Sequence, residues 1–324
     1  MAYIPVVDIS ADPAAVGAEL DEICRTVGFF QVTGHGIPDG VAGSAWTMAT
    51  KFFDLPLADK LSVARPGADY PYGYMPVAGE SLSQSMSGAA PADLKEVFNA
   101  GPPSRPPRPF ADPGEAWAYS PTLWPAALPD LKPAWTAYYD AMRELGNRLM
   151  SLLARGLGLP PGFFADKTAD GPNALRAINY PARDVAPLPG QLRAGAHTDY
   201  GTVTILRQDA VGGLEVLDRA GRWTGVESVP GALVINIGDL MARWTNDRWQ
   251  STLHRVVDPA DPDPSAATAR RQSMPYFQNA NWSAAISCLP TCLEPGEQPR
   301  YEPVLAGPHL MSKFRRSVTF PGSA

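Results

Sequence analysis

From residue 174 onward the chain is a run of short strand-like segments, and this run limits the fold more than any other feature. ALRAINY, TVTILRQ, GLEVLD, ALVINIG, STLHRVV and RQSMPYF are each six or seven residues long, with turn residues between them. Segments this short and this regularly spaced predict a sandwich or barrel, here a jelly roll.

The chain upstream reads differently. YIPVVDI is short and β-branched. Asp12 and Pro13 can open a helix whose apolar face holds Val16, Leu20, Ile23 and Val27. GFFQVTGHG predicts a strand ending in glycines, and a second helix is expected over about 38–54. Pro and Gly crowd residues 66–130, most densely in PPSRPPRPFADP, so loops packed on a core are expected there. A long helix is predicted over about 131–157. Trp135, Tyr138, Met142, Leu145, Leu149 and Leu152 recur at helical spacing, and Gly156 and Gly158 end it. Helices first and strands later give an α+β class: a double-stranded β-helix (jelly roll) core with an N-terminal α/β segment and flanking helices.

Composition narrows the function. The 324 residues, 45% hydrophobic, suffice for a sizeable core. A formal charge of −6 with interspersed signs argues against a nucleic-acid partner, which needs a basic surface. No apolar run nears the roughly 18 residues of a membrane span. MAYIPVVDIS has no basic stretch before an apolar core, and Cys24, Cys288 and Cys292 have no metal-binding spacing. The expectation is a soluble cytoplasmic protein with reduced thiols. Its oligomeric state is open, and a monomer suffices.

The chain has four histidines: His35, His197, His254 and His309. Read as one extended segment, GAHTDYGTVTIL points His197 and Asp199 to the same side. Alone, that pair also fits a surface strand with two polar residues facing water. His254, in STLHRVV, can face them from a second strand. Two His and one carboxylate leave open coordination positions, which suits non-haem Fe(II) that binds O2 and a co-substrate. Structural zinc wants four closed ligands. On the next strand Arg271 offers a planar fork for a carboxylate, and Ser273 adds a hydroxyl on the same face. In LRAINYP, Arg176, Ile178 and Tyr180 share a face, and the Tyr180 hydroxyl can reach the same carboxylate. A metal triad beside a carboxylate clamp is the layout of an oxygenase with an acidic co-substrate.

GFFQVTGHGIP, NYP, GAHTDYGTVTILRQD, GGLEV, ALVINIGDLMARWTNDRWQSTLHRVV and RQSMPYF, in that order, cover most of the chain. Together they resemble the isopenicillin N synthase-like family of Fe(II)/2-oxoglutarate-dependent oxygenases. The resemblance implies that His197, Asp199 and His254 ligate iron. It implies that Arg271 and Ser273 hold the distal carboxylate of 2-oxoglutarate, that Tyr180 assists, and that the keto acid end chelates the metal. Residues 1–130 would be the N-terminal dioxygenase segment with a loop-rich pocket region. Residues 131–324 would be the long helix, oxygenase core and C-terminal helix, all one compact unit. Asn236 and Asp239 would be framework residues, His35 structural, and His309 matches no family ligand. Arg176 would touch co-substrate or substrate, or stand at the rim. Arg207 takes a place where the family often has an apolar residue, a candidate substrate contact. DPADPDPSAATAR reads as an enlarged hairpin loop. Relatives build pocket and lid from segments matching 66–130 and the last helix, about 307–316.

The implied reaction takes O2 and 2-oxoglutarate to succinate and CO2 while hydroxylating a small molecule; desaturation and cyclisation are variants. By analogy with bacterial relatives, the expected substrates are natural products or amino-acid-derived molecules. Two alternatives stay open. One is an iron oxidase or oxidative cyclase of the same fold that needs no 2-oxoglutarate, its Arg-x-Ser pair serving the substrate carboxylate. The other is a non-catalytic jelly-roll binding protein.

Overall fold

Two β-sheets face each other across one cavity, and side chains from both line it. The computed structural model describes residues 4–67, 69–83, 91–183, 187–259 and 269–317. The larger sheet has eight strands in the order β1 (Val6–Asp8), β2 (Phe29–Thr33), β10 (Leu233–Ile237), β7 (Val203–Gln208), β12 (Arg271–Gln278), β5 (Ala174–Tyr180), β4 (Glu96–Ala100) and β3 (Gly73–Met75). The smaller has β6 (Ala194–His197), β11 (His254–Val256), β8 (Leu214–Leu217) and β9 (Trp223–Gly225). A separate pair joins β13 (Ala285–Ile286) to β14 (Val304–Leu305). β1 runs parallel to β2, and the other pairings are antiparallel. This is the expected jelly-roll core within an α+β fold.

The helices are α1 (Pro13–Thr26), α2 (Asp39–Phe53), α3 (Leu57–Leu61), α4 (Pro113–Ala118), α5 (Leu131–Gly156), α6 (Ala165–Thr168), α7 (Asp239–Trp244) and α8 (Ala306–Ser317). Asp12 caps α1 by accepting from the amides of Ala14 and Ala15, and Pro13 needs no partner in the first turn. α5 buries the predicted stripe from Trp135 to Leu152 and lies against α1 and α2. Each buried Leu or Met of that stripe contributes about 1.5–3 kcal/mol relative to exposure. No helix among the described residues is long and apolar enough to cross a membrane.

Two expectations need correcting, and one strand was not foreseen. Residues 66–130 are not loops alone: β3 and β4 extend the large sheet beyond β5. All five residues of β4 are buried, so its sequence lacks the polar–apolar alternation of a half-exposed strand. Its Glu96 is held inside by Lys60 Nζ at 2.9 Å, the Tyr74 hydroxyl at 2.6 Å and Asn179 Nδ2 at 2.7 Å. GAHTDYGTVTIL is not one strand: β6 ends at His197, a turn follows, and β7 begins at Val203. Trp223–Gly225 forms a further short strand that the sequence pattern did not announce. Most of the enlarged loop expected before Arg271, residues 260–268, lies outside the described residues.

Candidate active site

His197 is the last residue of β6, and His254 the first of β11; the two are direct cross-strand partners. Their rings lie 4.3 Å apart between centroids. Asp199 joins them from the turn after β6, and its Oδ1 stands 4.0 Å from His197 Nε2 and 3.9 Å from His254 Nε2. The three ligand atoms lie within 4.8 Å of one another. Asp199 therefore converges through a turn rather than through strand alternation.

That turn is packed against backbone. A Cβ on Gly201 would stand 2.7 Å from the Gln278 carbonyl oxygen and 2.5 Å from Asn279 Oδ1, so only glycine fits. Asp239 N donates to the Asp199 carbonyl, and Gly238 N to that of Thr202.

Each ligand is oriented from behind. His197 Nδ1 is 2.8 Å from the Gly195 carbonyl oxygen, and His254 Nδ1 is 3.1 Å from that of Thr252. A carbonyl only accepts, so each Nδ1 carries the proton and each Nε2 lone pair is free for a metal. Asn236 Nδ2 donates to Asp199 Oδ2 at 2.7 Å, leaving Oδ1 toward the imidazoles. Burial and the neighbouring His254 push His197 protonation down to about 3. Burial disfavours the Asp199 carboxylate. His254, His197, Thr204 and Asn236 outweigh it and hold the group below its ordinary range. Two imidazole Nε2 atoms and one carboxylate oxygen, all facing one point, fit a divalent ion with open positions.

Beside the triad, Arg271 is buried opposite Tyr180, and Ser273 opposite Ile178. Arg271 Nε donates to the Gly212 carbonyl at 2.9 Å and Nη2 to Gln208 Oε1 at 2.8 Å; its plane lies 4.9 Å from the Tyr180 ring centroid. Its Nη1 is buried with no hydrogen-bond partner among the described residues. An unpaired guanidinium nitrogen on a cavity wall fits a carboxylate from outside the protein. Leu206, Leu214 and Val256 give this end apolar walls, within a cavity of about 220 Å³.

Arg176 lines the cavity, as its parity with Tyr180 predicts. Arg207 does not. Its guanidinium lies 4.7 Å from the Trp46 ring and donates to the Ala42 carbonyl, on the α2 side of the sheet. Leu206 and Thr204 take the inward positions of β7, so the candidate substrate contact at Arg207 is withdrawn. His35 is structural: Nε2 lies 3.0 Å from the Gly231 carbonyl, and Nδ1 accepts from Ile37 N. His309 lies in α8 and is not part of the cavity wall.

Asn236, expected to be framework only, touches a metal-binding carboxylate. Asp239 is a framework residue of unusual reach: it accepts from Thr198 and Ser251 and pairs with Lys313 Nζ of α8 at 2.6 Å. Sequence reasoning missed Arg65, Glu80, Lys95, Asn99 and Phe277 on the cavity wall. Strand parity with Arg271 and Ser273 would have found Phe277. Nothing local marks the others.

Comparison with known proteins agrees along the chain. Residues 4–127 match the family model described as non-haem dioxygenase in morphine synthesis, N-terminal. Residues 172–280 match that of the 2OG-Fe(II) oxygenase superfamily. The 2-oxoglutarate-Fe(II) type oxidoreductase hxnY of Emericella nidulans is 34% identical, covering 97% of this chain and 90% of its own. Validamycin A dioxygenase of Streptomyces hygroscopicus subsp. limoneus is 35% identical over 87% of this chain and 78% of its own. The crystal structure of a full-length Neurospora crassa protein in complex with alpha-KG (2-oxoglutarate) superimposes with a TM-score of 0.83 at 30% identity. The match covers 96% of this chain and 95% of that one.

Proposed function

The chain belongs to the 2-oxoglutarate-Fe(II) oxygenase superfamily, and from that premise we propose that it hydroxylates a small organic molecule, with Arg271, Ser273 and Tyr180 seating 2-oxoglutarate. Iron and 2-oxoglutarate are the cofactor and co-substrate of that family, and the chain is an enzyme of its oxidoreductase chemistry. The two alternatives, a co-substrate-free oxidase and a non-catalytic binding protein, therefore fall behind. One observation carries the seating of the co-substrate: the buried Nη1 of Arg271, without a hydrogen-bond partner among the described residues, on the wall that also holds three converging ligand atoms.

Bound iron supplies the redox chemistry that couples decarboxylation of 2-oxoglutarate to oxidation of a C–H bond. The protein does the rest. His197, Asp199 and His254 would hold the ion and, being three ligands, would leave coordination positions open. Arg271 and Ser273 take the distal carboxylate and so fix which end of the co-substrate reaches the metal. Apolar walls at Leu206, Leu214 and Val256 flank its carbon chain.

The substrate class we favour is a natural product or an amino-acid-derived molecule. One relative is named for validamycin A, and the Neurospora protein is also solved with thymine.

The test is anaerobic. Fe(II) and 2-oxoglutarate added to the protein are expected to give the weak visible metal-to-ligand charge-transfer band of the chelate. Arg271→Ala removes charge-assisted bonds worth about 1.5–3 kcal/mol each, so half-saturation should rise by tens of fold or more. A band with unchanged 2-oxoglutarate affinity in Arg271→Ala would sink the assignment of that residue.

A further inference from the structure

Away from Arg271, the same cavity wall holds a second charged cluster. Arg176 lies four residues before Tyr180 on β5, roughly 13 Å along the strand and on the same face. Its Nη1 meets Glu80 Oε1 at 3.1 Å and its Nε meets Asn99 Oδ1 at 2.7 Å. Lys95 Nζ, wholly buried, meets the same Glu80 oxygen at 3.0 Å and Asp93 Oδ2 at 2.9 Å. Asp93 is further engaged by the amides of Leu82 and Gly195. Arg65, half-buried on the wall, has Glu80 in electrostatic reach but makes no side-chain hydrogen bond or salt bridge among the described residues.

The charges do not cancel. Arg65, Lys95 and Arg176 stand against Glu80 and Asp93, three cations against two carboxylates. The iron end offers no surplus anion, because Fe(II) and Arg271 would balance Asp199 and doubly charged 2-oxoglutarate. An excess positive charge in a half-closed cavity is costly unless a ligand neutralises it. The wall beyond the cluster is aromatic: Trp117, Tyr72, Phe277 and Phe314 line it, and Arg176 lies 5.9 Å from the Phe277 ring centroid.

We propose that the substrate carries a carboxylate, read by Arg176 and Arg65, on an apolar or aromatic body directed toward the iron. The proposal rests on the oxygenase reading above and deepens it. Glu80 is the positioning residue: held by Lys95 and Arg176, it fixes the Arg176 guanidinium and is itself unavailable to a cationic substrate. The cavity would thus hold two carboxylate sites on one strand pair, Arg271 for the co-substrate and Arg176 for the substrate.

The experiment is saturation-transfer NMR with an equimolar mixture of benzoate, benzamide and benzylamine. The full chain is loaded with Zn(II), to block turnover, and with saturating 2-oxoglutarate, to fill the Arg271 site. Benzoate should be favoured over benzamide by about tenfold, the scale of one charge-assisted contact. Arg176→Gln and Arg65→Gln should each erase most of that preference. Thermal unfolding checks that both variants fold. Arg65→Gln, on an irregular segment, keeps the test alive if Arg176→Gln does not. Equal retention of the three probes, a preference for benzylamine, no retention of any, or a benzoate preference that survives both substitutions would overturn the proposal. The anaerobic band without a benzoate preference would fault this inference alone. A preference without the band would fault the oxygenase reading and uphold only the carboxylate site at Arg176 and Arg65.

Discussion

At the iron end of the cavity every functional side chain comes from a regular strand or the turn beside one, and each ligand is oriented from behind: the imidazoles by a backbone carbonyl each, Asp199 by Asn236 and Thr204. At the other end the charged side chains come from four separate stretches: Arg65 from the segment after α3, Glu80 from the segment after β3, Lys95 from the residue before β4, and Arg176 from β5. There the groups hold one another rather than being held by backbone carbonyls. A strand scaffold suits chemistry that needs fixed geometry. Arg65 and Glu80, carried outside the strands, can be exchanged without disturbing the sheets, which suits a surface that chooses among substrates.

The sharpest way to break this comparison is Asp199→Ala. It removes the only anionic ligand, so iron retention after desalting and turnover should both fall to background. Iron measured at wild-type stoichiometry would mean the ligand set is wrong.

Next comes Glu80→Gln. Burial opposes the Glu80 carboxylate, but Lys95, Arg176 and Arg65 hold its pKa at about 2, below the ordinary 4.5. A lowered folded pKa stabilises the fold above the ordinary value, and that stability is lost as pH falls from about 4.5 toward 2. The shift corresponds to about 3 kcal/mol at neutral pH. Urea unfolding at pH 7 should show Glu80→Gln weakened by that order, with a smaller further loss on acidification than in wild type. Equal stability at pH 7 would mean that the cluster does not depend on its central carboxylate.

A smaller effect is expected from Asn236→Ala. Losing the bond that orients a ligating carboxylate typically costs about 10–100-fold in metal affinity. A competitive chelator titration reads it, and an unchanged affinity would show that Thr204 orients Asp199 unaided. The smallest effect belongs to Arg207→Ala. Loss of its stacking on Trp46 should cost about 1 kcal/mol of stability and leave the 2-oxoglutarate half-saturation unchanged. A shifted co-substrate affinity would return Arg207 to the cavity.

Much of the iron end was legible because its elements are periodic. The strands β5, β7, β10 and β12 and the helix α5 stand close to their expected positions. Arg271, Ser273, Tyr180 and Arg176 share a face as alternation requires. The resemblance also misled. Arg207 became a candidate contact because the family often has an apolar residue at that place. The turn between His197 and Val203 breaks any strand count from Asp199, and Arg207 faces α2 instead. β4 escaped notice because burial on both faces removes the alternation that marks a strand.

By itself, then, the sequence determined the fold class and the types of metal ligand, and it put Arg271 and Ser273 on one face of a strand, since these depend on residue type, element order and spacing within an element. Only the tertiary structure decided that Asp199 reaches the metal point through a glycine-packed turn, and that Asn236 holds it there. It also decided that Arg65, Glu80, Lys95 and Arg176 meet at all. The reason is physical: a net charge in a cavity is a sum over groups brought together from distant segments, and no local pattern encodes that sum.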